Sequence, residues 1–166
     1  MLSIQTAGLK QINLINELAY RIWPEAYKSI ISPDQMKYML NLIYSPSALK
    51  KQIEDLCHKF IIVYDDKLPA GFASYSLKLN SKNIFRLHKI YILQELQRQG
   101  IGSYLLQRVI ADIKHGGAKF LELNVNRHNK ALEFYKKFGF KIISEEDIDI
   151  ENGYFMNDYV MKLKLV

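Results

Sequence analysis

Two glycines separated by one residue, Gly100 and Gly102, stand between an apolar stretch and an amphipathic stretch. The apolar stretch, Ile90 to Leu93, predicts a strand, and the stretch from Tyr104 to Ile113 predicts a helix. Glycines here let an anion approach the backbone, and the first turn of the helix offers unpaired N–H groups. Arg98 adds a positive charge beside them. The pattern therefore indicates a binding site for a phosphate group.

The glycine spacing differs from that of the common nucleotide-binding loops. A dinucleotide-binding loop requires a third glycine where this chain has Leu105, and a P-loop requires a lysine where it has Ser103. What remains is a glutamine or arginine followed by two residues and a Gly-x-Gly. Taken alone, this segment also fits a tight turn before a helix.

A second segment, NKALEFYKKFGF at residues 129–140, resolves the ambiguity. Together the two segments resemble the acyl-coenzyme A (acyl-CoA) signatures of the GNAT superfamily of N-acyltransferases, in the expected order and at the expected distance. The resemblance covers residues 60–140 most strongly. It implies an N-acetyltransferase that uses acetyl-CoA as cosubstrate and no metal.

The resemblance also implies roles for individual residues. The strand backbone from Ile90 to Ile92 pairs with the pantetheine arm, and a backbone N–H there polarises the thioester carbonyl. The loop from Gln97 to Ser103 holds the pyrophosphate. Tyr135 is the general acid that protonates the departing thiolate. The cofactor-binding residues implied are Ile90, Tyr91, Ile92, Gln97, Arg98, Gln99, Gly100, Ile101, Gly102, Ser103, Asn129, Tyr135 and Lys137.

Simpler explanations exist for two of these residues. Tyr135 follows Leu132 by one helical turn, so it also fits plain core packing. Asn129 is a favourable N-cap residue whether or not it faces a cofactor. An alternative to an enzyme is a non-catalytic module that binds acyl-CoA and senses its level or regulates a partner. The presence of Tyr135 favours the enzyme, because a sensor needs only the phosphate loop.

The proton acceptor is predicted from strand alternation. Alternation from Arg86 places His88, Ile90 and Ile92 on one face of their strand. Several members of the family carry a glutamate base on that face. An imidazole there would accept the ammonium proton through water. The alternative is a surface or hydrogen-bonded structural histidine.

The acceptor is expected to be a cationic amine, because acids concentrate near the C-terminus. We expect them in the loop between the last two strands, where they attract a cation or merely solvate a hairpin tip; they are Glu145, Glu146, Asp147, Asp149 and Glu151. Residues 23–27, 35–40 and 157–161 also resemble a bacterial branch that includes polyamine acetyltransferases. A small polyamine is the predicted acceptor, while peptide N-termini, ribosomal proteins and aminoglycosides stay open.

Composition bounds the partners. The chain has 166 residues and a net charge of +6, but its lysines are dispersed, so a polyanionic cofactor explains the charge better than nucleic acid does. Cys57 is the only cysteine, which excludes an internal disulfide and a thiolate metal cluster. No secretion signal or membrane-spanning run is evident, so a cytoplasmic protein is expected. A homodimer stays open.

The fold class expected is α/β, in one domain covering residues 1–166. Periodicity predicts the element order β-α-α-α-β-β-β-α-β-α-β-β, with the last two strands at residues 140–144 and 154–165. Ser32 and Ser45, each followed by proline, begin two helices, and Gln35 completes a capping box in the first. The resemblance adds a mixed, mainly antiparallel sheet of six to seven strands flanked by helices, with splayed central strands.

Overall fold

The computed structural model describes residues 1–166. Five helices are present: α1 (Ile12–Tyr27), α2 (Pro33–Tyr44), α3 (Pro46–Glu54), α4 (Ile101–His115) and α5 (Ala131–Phe138). Seven strands are present: β1 (Leu2–Ala7), β2 (Lys59–Asp65), β3 (Leu68–Leu77), β4 (Ile84–Ile92), β5 (Phe120–Asn126), β6 (Lys141–Asp149) and β7 (Phe155–Lys164). Their order along the chain confirms the predicted α/β element order. None of the helices combines the length and apolar character needed to cross a membrane.

The strands form one sheet in the order β1-β2-β3-β4-β5-β7-β6. Every neighbouring pair is antiparallel except β4 and β5, which are parallel. The parallel pairing covers only residues 84–87 of β4 and 120–123 of β5. Beyond Leu87 and Leu123 the two strands have no ladder between them. The C-terminal halves of β4 and β5 therefore border a gap in the middle of the sheet.

The two faces of the sheet carry separate apolar cores. Helices α1, α2 and α3 cover one face, where Trp23 and Tyr44 are buried against Phe72 of β3. Helices α4 and α5 cover the other face, where Leu105 and Leu106 are fully buried. Burial of large apolar side chains on both faces supplies the main driving force for folding. The gap between β4 and β5 is the place where the two layers approach each other.

The two predicted helix starts are confirmed. The Ser32 hydroxyl accepts the backbone N–H of Gln35 at 3.1 Å, and the Ser45 hydroxyl accepts that of Ala48 at 3.3 Å. The prediction of a capping box is wrong, because the Gln35 side-chain amide does not bond to the backbone of Ser32. It donates instead to the Phe155 carbonyl of β7 at 3.0 Å. This contact ties the start of α2 to the turn between β6 and β7.

The C-terminal hairpin is longer than predicted. β6 continues to Asp149, and its register pairs Asp149 with Phe155. Four of the five clustered acids therefore lie on a strand, and only Glu151 lies in the turn. The strand carries charge on both sides because β6 is an edge strand and is exposed along nearly its whole length. The hydrophobic alternation that marks a half-buried strand is consequently absent.

Candidate active site

The loop before α4 presents a run of free backbone donors. None of the N–H groups from Arg98 to Ser103 donates to a backbone or side-chain acceptor, and the first bond of α4 runs from the Tyr104 N–H to the Gly100 carbonyl. Arg98 and Gly100 both have left-handed backbone conformations, with φ of 63° and 81°. Left-handed residues within such a loop turn neighbouring N–H groups toward one side, which forms an anion-binding concavity. The helix dipole of α4 adds positive potential there.

Side chains hold this loop in place without occupying its donors. The Gln97 amide donates to the Ile92 carbonyl at 3.2 Å, which fastens the loop to the end of β4. The Ile101 side chain is buried in the core beneath α4, and it anchors the end of the loop there. Arg98 and Gln99 are exposed, and Ser103 is half-buried. A charged side chain at Arg98 is thus free to approach an anion at the loop.

Gly102 lies in the narrow space between β4 and α5. A Cβ at this position would lie 3.7 Å from Phe134 Cζ and 3.9 Å from Ile92 Cγ1, which are ordinary contact distances. The fold itself would therefore accept a small side chain. A larger side chain would fill the space between the phosphate loop and α5.

Buried phenols meet beside the gap in the sheet. The hydroxyls of Tyr27 on α1 and Tyr91 on β4 are hydrogen-bonded at 2.9 Å. Tyr135 of α5 belongs to the opposite core, yet it is close enough that Tyr27 contributes to raising its pKa, after the larger effect of burial. A tyrosine phenol is protonated at neutral pH even without this rise, so Tyr135 holds the proton that a general acid must donate. The three hydroxyls come from three separate elements.

The other residues of the second segment have distinct surroundings. The Asn129 side chain accepts the Ala131 N–H at 2.9 Å in a turn just before α5, whose N-cap is Lys130 and not the predicted Asn129. Asn129 also lies close to Tyr27, and its hydrogen bonding opposes the rise in the pKa of that phenol. Lys137 is exposed in the last turn of α5. Two aromatic residues of α1 have different surroundings. Tyr20 is exposed, whereas Trp23 is part of the core and donates to the Tyr44 hydroxyl at 3.2 Å.

The predicted face of His88 is wrong. The register of β3 and β4 pairs Ser74 with Lys89 and Tyr75 with Leu87, so His88 is the extra residue of a β-bulge. A bulge shifts the alternation by one residue. Ile90 and Ile92 pack on the core of α4 and α5, whereas His88 lies on the opposite face with α3.

The surroundings of His88 favour a structural role. Its ring stacks on His58 with centroids 3.8 Å apart, and its Nε2 is hydrogen-bonded to the Ser76 hydroxyl at 2.7 Å. Burial, then the neighbouring His58 and Lys89, lowers the pKa of His88 to about 3. An imidazole with so low a pKa binds a proton poorly at neutral pH. The stacking, the hydrogen bond and the low pKa therefore favour a structural role for His88 over the role of general base.

The acids of β6 divide into two groups. Arg127 binds Asp147 at 2.9 Å and approaches Glu145 at 3.9 Å, so these two carboxylates are partly neutralised. Glu146 points to the other face, where its carboxylate accepts the Asn124 amide at 3.1 Å. That is also the face covered by α1, α2 and α3 farther along the sheet. Glu146 is thus the acid on β6 that lies on the same face of the sheet as α1, α2 and α3.

Three buried charged residues escaped the sequence prediction: Asp158, Lys89, and Glu122, which is ion-paired with Lys78 and Lys162. Asp158 of β7 is 2% exposed and accepts the same Asn124 amide at 3.3 Å. Lys89 of β4 is 7% exposed, donates to the Gln52 amide oxygen at 2.7 Å, and has its pKa lowered to about 8 by burial. The available signal was a lone charged residue inside a strand sequence. That signal is weak without the register that determines which face each residue occupies.

An open groove lies away from the loop and the phenols. It has a volume of about 490 Å³ and runs between α1 and α2, with Tyr20 and Lys28 among its lining residues. It does not include the phosphate loop or the phenol cluster. The chemistry of the loop and phenols, and not the size of a groove, therefore marks the candidate site.

Comparison with known proteins identifies the family of this chain. A model of the acetyltransferase (GNAT) domain family matches residues 27–163. The chain therefore belongs to the GNAT family, and it is an acetyl-CoA-dependent N-acetyltransferase with the mainly antiparallel α/β fold of that family.

Individual relatives are distant. The chain is 26% identical over 152 residues to the uncharacterized N-acetyltransferase YuaI of Bacillus subtilis, which covers 90% of this chain and 86% of that protein. It is 33% identical over 85 residues to the ribosomal protein bS18-alanine N-acetyltransferase of Haemophilus influenzae, covering 51% and 53% of the two chains. The PaiA N-acetyltransferase of Thermoplasma acidophilum, solved with coenzyme A, has a TM-score of 0.82 at 24% identity, over 99% of each chain.

Proposed function

We propose that this protein transfers the acetyl group of acetyl-CoA to a primary amine, preferably a small polyamine, by direct attack of the amine on the thioester. The observation that carries the proposal is the run of free N–H donors from Arg98 to Ser103 beside the buried phenol of Tyr135. The donors suit a pyrophosphate, and the phenol suits a leaving thiolate. Both lie at the gap between β4 and β5.

The backbone of β4 would hold the pantetheine arm. After Leu87 the edge of β4 that faces β5 has no strand partner, so Ile90, Tyr91 and Ile92 offer an unpaired edge to an extended arm. A backbone N–H on this edge would polarise the thioester carbonyl. Asn129 at the start of α5 and the exposed Lys137 in its last turn would contribute to cofactor binding.

Tyr135 would act when the carbon–sulfur bond breaks. The amine nitrogen forms a bond to the thioester carbon, and the sulfur leaves with the electron pair. The Tyr135 hydroxyl donates its proton to the thiolate and regains a proton from solvent. The ordinary pKa of a phenol is about 10, and burial raises that of Tyr135 further, so the proton is present at neutral pH before the reaction begins.

We take the face of the sheet toward α1 and α2 as the side that binds the acceptor. A polyamine is the favoured acceptor because this face carries two carboxylates that form no ion pair. Glu146 and Asp158 both contact the Asn124 amide, so the two carboxylates are neighbours, and neither forms an ion pair. Two adjacent negative charges suit a ligand with several amino groups. Glu145 and Asp147 are occupied by Arg127 and contribute less.

A screen of amines tests the proposal. The purified protein is mixed with acetyl-CoA and each acceptor, and released thiol is measured; the acceptors include spermidine, spermine, peptides with a free N-terminal alanine, and an aminoglycoside. We expect turnover highest with spermidine or spermine. Turnover with peptides alone would contradict the polyamine assignment. Tight acetyl-CoA binding without release of thiol with any amine would instead favour the sensing module.

A further inference from the structure

Asp158 has an unusual position for a carboxylate. It lies in the middle of β7, where the register places it opposite Asn126 of β5 and Glu146 of β6. Its side chain is on the face toward α1 and α2, and only 2% of the residue is exposed. Asn126 is the last residue of β5, at the open end of the gap between β4 and β5. Asp158 therefore lies one strand away from the gap, beside the last residue of β5.

The carboxylate of Asp158 is incompletely satisfied. One oxygen, Oδ2, accepts the Asn124 amide at 3.3 Å. The other oxygen, Oδ1, is buried and has no hydrogen-bond partner. Buried carboxylates are normally paired or fully hydrogen-bonded, because an isolated charge is costly to remove from water.

The arginines near Asp158 are committed to other groups. The Arg127 guanidinium binds the Asp147 carboxylate at 2.9 Å, and it reaches Asp158 only through the backbone carbonyl, at 3.3 Å. Arg86 donates to the side-chain oxygen of Asn124. No cation of the chain forms an ion pair with Asp158. The site thus retains a negative charge for which the protein supplies no counter-ion.

Asp158 also has an electrostatic effect on the buried phenol of Tyr27. Its charge contributes to raising the pKa of Tyr27, after the larger effect of burial. Tyr27 is in turn hydrogen-bonded to Tyr91 and is near enough to Tyr135 to affect that phenol. Tyr27 is therefore within electrostatic range of both the free carboxylate and the proposed general acid. An amine placed between them would have an anion on one side and a proton donor for the thiolate on the other.

We propose that Asp158 binds the ammonium group of the acceptor and takes its proton. This inference rests on the proposed function and assigns the general base that the chemistry requires. The ammonium gives one proton to Oδ1, which leaves a neutral amine and a protonated Asp158. The amine then attacks the thioester and its nitrogen loses a second proton to solvent, while the thiolate gains a proton from Tyr135, which is reprotonated from solvent. Asp158 releases its proton to solvent, so one proton is produced in each turnover.

The groups that face Asp158 support this assignment. Burial raises its pKa, and the charge of Glu146 raises it further, whereas Asn124, Arg127 and Arg86 lower it. The net rise makes the carboxylate a stronger base than an exposed aspartate.

The test compares Asp158→Asn with Glu122→Gln. Glu122 is the matched control: it lies on the same face of the neighbouring strand and is equally buried, at 2%, but it is ion-paired with Lys78 at 2.7 Å and Lys162 at 3.0 Å. Each variant is measured for thermal midpoint, acetyl-CoA affinity, and kcat/KM with spermidine, or with the alanyl peptide if that is the better acceptor.

We expect Asp158→Asn to lower kcat/KM by about 10² to 10⁴, the range for loss of a general base. Its thermal midpoint should be unchanged or higher, because an uncompensated buried charge is removed. Its acetyl-CoA affinity should stay within about twofold of wild type. Raising the pH toward 9 should reduce the deficit, because more of the amine is already neutral. Glu122→Gln should lower the thermal midpoint and leave the KM for the amine nearly unchanged.

Several results would overturn the inference. A kcat/KM of Asp158→Asn within twofold of wild type would exclude Asp158 as the base while leaving the proposed function intact. A fall in its thermal midpoint as large as that of Glu122→Gln, with no pH-dependent recovery of activity, would make Asp158 a structural residue. If the wild type releases no thiol with any amine, the proposed function fails. Calorimetry of spermidine with the CoA-bound wild type and Asp158→Asn then decides the ammonium site, and equal affinities would reject it.

Discussion

Replacement of Tyr135 by phenylalanine separates catalysis from packing at this site. The Tyr135 ring is 7% exposed and lies edge-on to Phe140, with ring centroids 5.6 Å apart. Its hydroxyl forms no hydrogen bond within the protein. Phenylalanine preserves the ring and these contacts. The free energy of unfolding should therefore change little, since no internal hydrogen bond is lost.

The catalytic effect should be much larger than the effect on stability. Loss of a general acid slows a reaction by about 10² to 10⁴, which corresponds to about 3 to 5 kcal/mol in the activation barrier. We expect turnover of Tyr135→Phe to fall by this factor. Acetyl-CoA affinity should stay within about twofold, because the phosphate loop is untouched.

The assay must report the chemical step. Single-turnover mixing of the acetyl-CoA-bound protein with excess amine measures acetyl transfer directly, and calorimetry measures acetyl-CoA affinity separately. A transfer rate within twofold of wild type would refute the reasoning and leave Tyr135 as a core residue. A large fall in the thermal midpoint would also contradict it, because the hydroxyl would then have a structural partner.

Three further predictions concern the loop, the histidine pair and β6. Gly102→Val should abolish acetyl-CoA binding in calorimetry while Gly102→Ala keeps the fold, because a Cβ there meets only ordinary contacts; wild-type affinity in the valine variant would reject the phosphate loop. Burial, the largest cause, lowers the pKa of His88 to about 3 and of His58 to about 4. Both therefore gain protons on unfolding below about pH 6.5, so the thermal midpoint should fall between pH 7 and 4.5, and fall less in His88→Gln, whose activity at pH 7 should stay close to wild type. Amide replacement of Glu145, Glu146 and Asp149 together should raise the polyamine KM at low salt. The rise should be much smaller at high salt, because exposed charges are then screened over distances of about 8 Å or shorter. An unchanged KM at low salt would mean that these three side chains only solvate the strand.

Much of the fold was determined locally and could be predicted from the sequence. Apolar periodicity and the serine caps of α2 and α3 depend on residues within one or two turns of each other. The phosphate loop is also local, because the glycines and the start of α4 are contiguous in the chain. The resemblance to the GNAT family used the same local segments, and the family match over residues 27–163 bears it out.

What the tertiary structure alone decided depends on the pairing of strands. The bulge at His88 arises from the register of β4 against β3, and it moved that side chain to the opposite face from Ile90. The extension of β6 to Asp149 arises from its pairing with β7, which polar residues on an edge strand do not reveal. Asp158 is near enough to Tyr27 to raise the pKa of that phenol only because β7 pairs with β5, the strand at the edge of the gap. These placements join residues far apart in the chain, so no short pattern in the sequence encodes them.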